Sequence, residues 1–184
     1  MRLFIAVPLH PEVQDRAAAC LPRDLPGVKP VAPALLHVTL AFLGSTPDGL
    51  LPAVVEAARA AATGEQPFEL AFDRGGRFPA TGRPRTLWLG IGAGADDLAR
   101  LAEKLAAALR AGGLRSDDRP FSPHLTVARV RETASAAEAG AAAGALQAPE
   151  APGLWTAVDR IALIESILSP RGPHYRVRAL APLG

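Results

Sequence analysis

The spacing of apolar residues changes several times along the chain. Leu3-Phe4-Ile5-Ala6-Val7 is an uninterrupted apolar run closed by Pro8, the pattern of a buried strand. Pro11 stands at a first helical position and predicts an amphipathic helix to about Leu21. Pro22, Pro26, Gly27, Pro30 and Pro33 then predict irregular chain. Leu36–Leu43 predicts a strand stopped by Gly44, and Thr46-Pro47 a cap and first turn for a helix over 48–62. Strands are expected at 67–73 and 86–91, separated by the Gly/Arg/Pro-rich stretch 74–85. Leu98, Leu101, Leu105, Ala108 and Leu109 share one face of a helix that Gly112-Gly113 ends. Pro123–Val130 predicts another strand, and Thr133–Leu146 an alanine-rich helix whose weak amphipathicity predicts a peripheral position. Two closing strands, 158–168 and 174–180, flank a turn at 169–173. Helices and strands mix without regular βαβ alternation, which predicts an α+β fold with an antiparallel sheet.

Composition narrows the class. The chain has 184 residues, 49% hydrophobic and 21% charged, which fits one soluble globular domain. Cys20 is the one cysteine, so an intramolecular disulfide and a multi-thiolate metal site are both excluded. A net charge of +2 is too small for whole-surface polyanion binding. Of 20 basic residues only Lys29 and Lys104 are lysines. An excess of arginine, alanine, glycine and proline is what a GC-rich genome imposes, so most of the arginines are read as compositional. No run reaches the roughly 18–20 apolar residues of a membrane span. Leu3–Leu9 followed by Cys20 imitates a lipoprotein leader, but His10, Pro11, Glu12, Gln14, Asp15 and Arg16 interrupt it. A cytoplasmic protein is expected, and a monomer, since neither an exposed heptad nor a long edge strand stands out.

The chemistry is carried by histidine. Two of the four histidines share one local pattern: His37-Val38-Thr39-Leu40 and His124-Leu125-Thr126-Val127. In a strand, residues i and i+2 point to the same face, so each copy presents an imidazole and a hydroxyl while its apolar partners face a core. Two such strands supply two acid/base groups that titrate near neutrality and two hydroxyl donors. That set suits in-line displacement at phosphorus, one histidine activating water and the other protonating the leaving oxygen. Two histidines with neither a third imidazole nor a nearby carboxylate make a poor metal site, so no metal and no cofactor are expected. His10 and His174 are expected on the surface.

These paired motifs resemble the 2H phosphoesterase superfamily and, within it, the RNA 2′,3′-cyclic phosphodiesterases also called 2′-5′ RNA ligases. The resemblance spans nearly the whole chain. It includes Arg2–Val7, Leu36–Gly44, Gly76-Arg77-Phe78-Pro79, Pro84–Gly90, Arg119–Arg129, Glu165-Ser166 and Ser169–Tyr175. It implies a single domain over 1–184 with two similar lobes, each an antiparallel sheet with helices outside, flanking a central cleft. It also implies metal-free opening of an RNA 2′,3′-cyclic phosphate to a 2′-phosphate, with reverse ligation to a 5′-hydroxyl. His37 would be the acid, His124 the base, and Thr39 and Thr126 the phosphate holders, although the sequence leaves acid and base interchangeable.

The family pattern also places a phosphate-binding arginine at Arg129. Its offset of five from His124 turns it off the histidine face of an ideal strand unless a bulge restores it. Phe42, at the same offset from His37, is read as core. Phe121 is a candidate for stacking on a base. Arg77, Arg83, Arg85, Arg115 and Arg119 are candidates for an RNA groove, with a solvated surface as the default for each. Gly90-Ile91-Gly92-Ala93-Gly94-Ala95, with Asp117 or Asp118 downstream, mimics a dinucleotide fingerprint but lacks the βαβ surroundings. Two alternatives to the RNA esterase remain, a non-catalytic module that binds RNA ends or nucleotides and a 2H esterase for another small cyclic phosphate.

Overall fold

The computed structural model describes residues 1–22, 24–117, 120–147, 153–170 and 172–184. Arg119, Asp118 and Arg171, which figured above, lie outside the described residues. Nine strands form one sheet among the described residues: β1 (Arg2–Pro8), β2 (Val28–Pro30), β3 (His37–Ser45), β4 (Phe68–Phe78), β5 (Thr86–Ile91), β6 (His124–Val130), β7 (Trp155–Val158), β8 (Arg160–Ser169) and β9 (Gly172–Pro182). The helices are α1 (Pro11–Ala19), α2 (Leu51–Ala62), α3 (Ala95–Ala111) and α4 (Ala136–Gln147).

The strand order is β7-β4-β5-β6-β3-β1-β8-β9, with β2 added beside β6, and every pairing is antiparallel. The sheet divides in the middle. On one side β3, β1, β8 and β9 make one lobe; on the other β6, β5, β4 and β7 make the second. A single residue pair, Val38 opposite Leu125, joins β3 to β6. The two lobes are not the two halves of the sequence, because β8 and β9 return from the C-terminus to complete the lobe begun by β1.

The helices cover one face. α2 packs on α3, β8 and β9, α3 also on β3, and α4 on β4 and β5. Between helices and sheet lies the main core, with Leu3, Ile5, Leu87, Leu89, Leu125, Leu98, Leu101 and Leu105 fully buried. The opposite face is left for chemistry. It carries a small apolar floor of Phe4, Ala6, Ala162 and Ile164, with Tyr175 packed against it.

Several expectations need correction. α4 is not peripheral: Ala139, Ala142, Ala143 and Leu146 are buried. Its alanine-rich surface hides the contact face from a periodicity reading, yet the helix seats so closely that a Cβ on Gly75 would meet Leu146. The strand at 67–73 continues to Phe78, past an irregularity between Phe72 and Gly75. Val28–Pro30 is a strand despite its terminal proline, since it pairs along the end of β6. Gly44 is paired inside β3 and does not end it. Thr46 makes no helix cap; its carbonyl takes the terminal amine of Met1, and α2 starts later, after a turn of 3-10 helix at Asp48–Leu50.

The glycines at 90–94 belong to β5 and to the start of α3. Gly94 sits at φ +80°, where a Cβ would collide with the Glu69 carbonyl. With all pairings antiparallel, no dinucleotide-binding βαβ unit is formed around them. No helix among the described residues is long and apolar enough to cross a membrane.

Candidate active site

His37 opens β3 and His124 opens β6, and the two strands run antiparallel through the Val38–Leu125 pair. One step to either side of that pair sets His37 beside Thr126 and Thr39 beside His124. The four side chains point away from buried Val38, Leu40, Leu125 and Val127. They therefore form a square on the open face, with an imidazole and a hydroxyl at alternate corners. Across ideal strands such diagonal neighbours lie about 7–8 Å apart, a span that brackets a phosphate group.

Both imidazoles are oriented in the same way. Nδ1 of His37 lies 2.7 Å from the Leu35 carbonyl, and Nδ1 of His124 lies 2.7 Å from the Ser122 carbonyl. A carbonyl only accepts, so each Nδ1 carries the proton and each Nε2 is left for the groove. Each ring is also walled by two aromatics. Phe4 and Tyr175 stand 4.7 and 5.4 Å from the His37 ring. Phe78 and Trp88 stand 4.9 and 6.1 Å from that of His124. Sequence reasoning missed these four walls as site residues. They come from β1, β9, β4 and β5, and no local pattern links them.

Electrostatics follow from this packing. Burial pushes His37 below the ordinary imidazole range; the Leu35 carbonyl opposes that, and the positive charges of His124 and Arg129 lower it further. Burial lowers His124 as well, opposed by the Ser122 carbonyl. Burial raises the Tyr175 phenol, with Arg129 and Arg2 pulling it back.

Arg129 reaches the histidine face through a bulge. Opposite β5, Leu87 pairs with Ala128 and Trp88 with Thr126, so Val127 is the extra residue. Val127 and Ala128 both turn into the core, and Arg129, opposite Thr86, returns to the side of Thr126. β3 repeats the device at the same offset. Ile5 pairs with Ala41 and Ala6 with Thr39, leaving Leu40 as the extra residue. Phe42 therefore pairs with Phe4 on the open face, is 36% exposed, and lies 5.2 Å beneath the Arg2 guanidinium. It is not a core residue; parity counting fails once a strand carries a bulge.

The other candidates scatter. Phe121 is half-buried and packs against the main core. Arg83 donates to the carbonyls of Arg131, Glu132 and Ala134, clamping the turn after β6. Arg77 bonds the Gly82 carbonyl, while Arg85 and Arg115 are exposed. His10 and His174 are on the surface. Among the described residues no three of His, Cys, Asp and Glu gather as a metal ligand set.

A sequence profile described as the 2′-5′ RNA ligase superfamily matches residues 8–168. An RNA 2′,3′-cyclic phosphodiesterase of Archaeoglobus fulgidus is 34% identical over 96% of this chain and 97% of its own. A protein of the same name from Thermus thermophilus is 36% identical over 96% and 87%. A crystal structure of a Thermus thermophilus protein superposes with a TM-score of 0.80 at 36% identity, covering 100% of this chain and 98% of the other. The paired strands, their matched histidines and this end-to-end similarity agree, and the chain belongs to the 2′-5′ RNA ligase superfamily.

Proposed function

We propose that the protein hydrolyses RNA ends bearing a 2′,3′-cyclic phosphate to 2′-phosphates, without a metal, using His37 as acid and His124 as base. The observation that carries this reading is the square of two imidazoles and two hydroxyls, both Nε2 atoms left free by Nδ1 bonds to carbonyls. The activity named for the relatives of matching length supports it.

In this reaction water attacks phosphorus on the side opposite O3′ and gives its proton to Nε2 of His124. The P–O3′ bond breaks, and the oxygen takes the proton carried by Nε2 of His37. The products are a 2′-phosphomonoester and a free 3′-hydroxyl. Thr39 and Thr126 donate to the non-bridging oxygens, and Arg129 balances their charge. A 5′-hydroxyl in place of water would form a 2′-5′ linkage by the same steps. In the free protein the charges of His124 and Arg129 oppose a proton on His37; a bound phosphodiester anion supplies the opposite field and restores it.

The test is a short RNA with a 2′,3′-cyclic end, incubated with the protein in EDTA. A 2′-phosphate is expected, with His37→Ala and His124→Ala each slower by about 10²- to 10⁴-fold. A substrate with sulfur at the 3′ bridging position needs no acid, so it rescues His37→Ala and not His124→Ala. A 3′-phosphate product, or variants as fast as the parent, would overturn the reading. Turnover of cyclic mononucleotides alone would point to another small cyclic phosphate, and binding without turnover to a module.

A further inference from the structure

β2 places a second cation on the active face. Its three residues pair with the end of β6: Val28 with Val130, Lys29 with Arg129, and Pro30 with Ala128. Directly opposed residues of an antiparallel pair share a face, so Lys29 stands on the side of Arg129, Thr126 and His124. β5 closes the row from the other flank, with Thr86 opposite the same Arg129.

Neither cation is spoken for. Lys29 and Arg129 are both exposed and make no hydrogen bond or ion pair among the described residues. Lys104, the other lysine, is tied to Glu65 and to the Thr63 carbonyl. Arg83 nearby is used up on three carbonyls. The positive charge of Arg129 is felt at His37 and at Tyr175. Lys29 lies beside Arg129 on the edge of β6 that β3 also uses, further along the strand from the Val38–Leu125 pair.

We infer that Lys29 forms a second phosphate subsite, outboard of Arg129, for the phosphate on the 5′ side of the cyclic-ended nucleotide. This rests on the phosphodiesterase reading of the groove. It assigns Lys29 to preference for a polynucleotide end over a bare cyclic nucleoside. Lysine suits the role because a compact ammonium meets one mobile phosphate without demanding a fixed bidentate geometry.

The experiment uses adenosine 2′,3′-cyclic phosphate with and without a 5′-phosphate, a pair that differs only in the proposed ligand group. The parent is expected to favour the 5′-phosphorylated substrate in kcat/KM by about tenfold. Lys29→Ala should bring that ratio close to one, and Lys29→Arg should restore most of it. Titration with adenosine 2′-phosphate and adenosine 2′,5′-bisphosphate reads the same preference as binding, so the subsite is tested even if hydrolysis is absent. A ratio unchanged in Lys29→Ala in both assays, or an equal loss on both ligands, would overturn the subsite. Failure of the parent to hydrolyse either substrate and the cyclic-ended RNA as well would overturn the phosphodiesterase reading instead.

Discussion

The proposed reaction asks a histidine to exchange protons where protons are unwelcome. Both imidazoles are half-buried between aromatic rings, and both titrate below the ordinary value of about 6.5. The reactive form needs one proton shared between them. The kcat/KM profile is therefore expected to peak on the acidic side of 6.5 and to fall tenfold per pH unit above it. Arg129 is one of the charges that lower His37. Removing it in Arg129→Gln relieves that effect, so the limb set by His37 should move to higher pH; a profile that stays in place would show that Arg129 acts on binding alone. The imidazoles and hydroxyls were legible in the sequence because i and i+2 in one strand is a local relation. Phe4, Phe78, Trp88 and Tyr175 were not, since four different strands bring them together.

Among the elements, β3 and β6 carry the design. Each has His, Thr and two core residues in plain alternation, and the second core residue is the extra one that shifts everything beyond it. Alternation predicted the first four positions of each strand correctly and lost Phe42 at the sixth. The bulge shows only in the pairing register, where Leu40 and Val127 lack a counterpart. The same limit hid β2, whose proline and proline-rich flanks read as loop until β6 lay beside it, and α4, whose alanines carry no stripe. Strand β4 contributes by leaving something out. Gly76 lies opposite Trp88, whose ring occupies the space a Cβ would take. Gly76→Val should displace the indole from beside His124. We expect it to cost about 1–3 kcal/mol of stability and to lower kcat/KM while preserving the far-UV signal. Urea titration and kinetics would check both, and full activity would mean that the Trp88 wall is dispensable.

At the scale of the whole molecule, the half-buried histidines couple folding to pH. Unfolded, they titrate near 6.5; folded, both titrate lower. Below that value the unfolded chain holds protons that the folded chain does not, so stability is full above it and falls as the pH drops. His37→Gln should remove part of the loss, seen as a smaller difference between urea midpoints at about pH 5.5 and 7.5. An unchanged difference would place the acid sensitivity elsewhere. The repeated bulge has a further result. It sets Phe42 and Arg129 at equivalent positions of two antiparallel strands, and so at opposite ends of one groove. A cyclic phosphate offers two nearly interchangeable ester oxygens, and a perfectly dyadic pair of histidines would release either one. Under the proposed reaction, an aromatic ring at one end and a guanidinium at the other would remove that degeneracy, so that the ribose would enter in one sense and regiochemistry would be decided before any bond breaks.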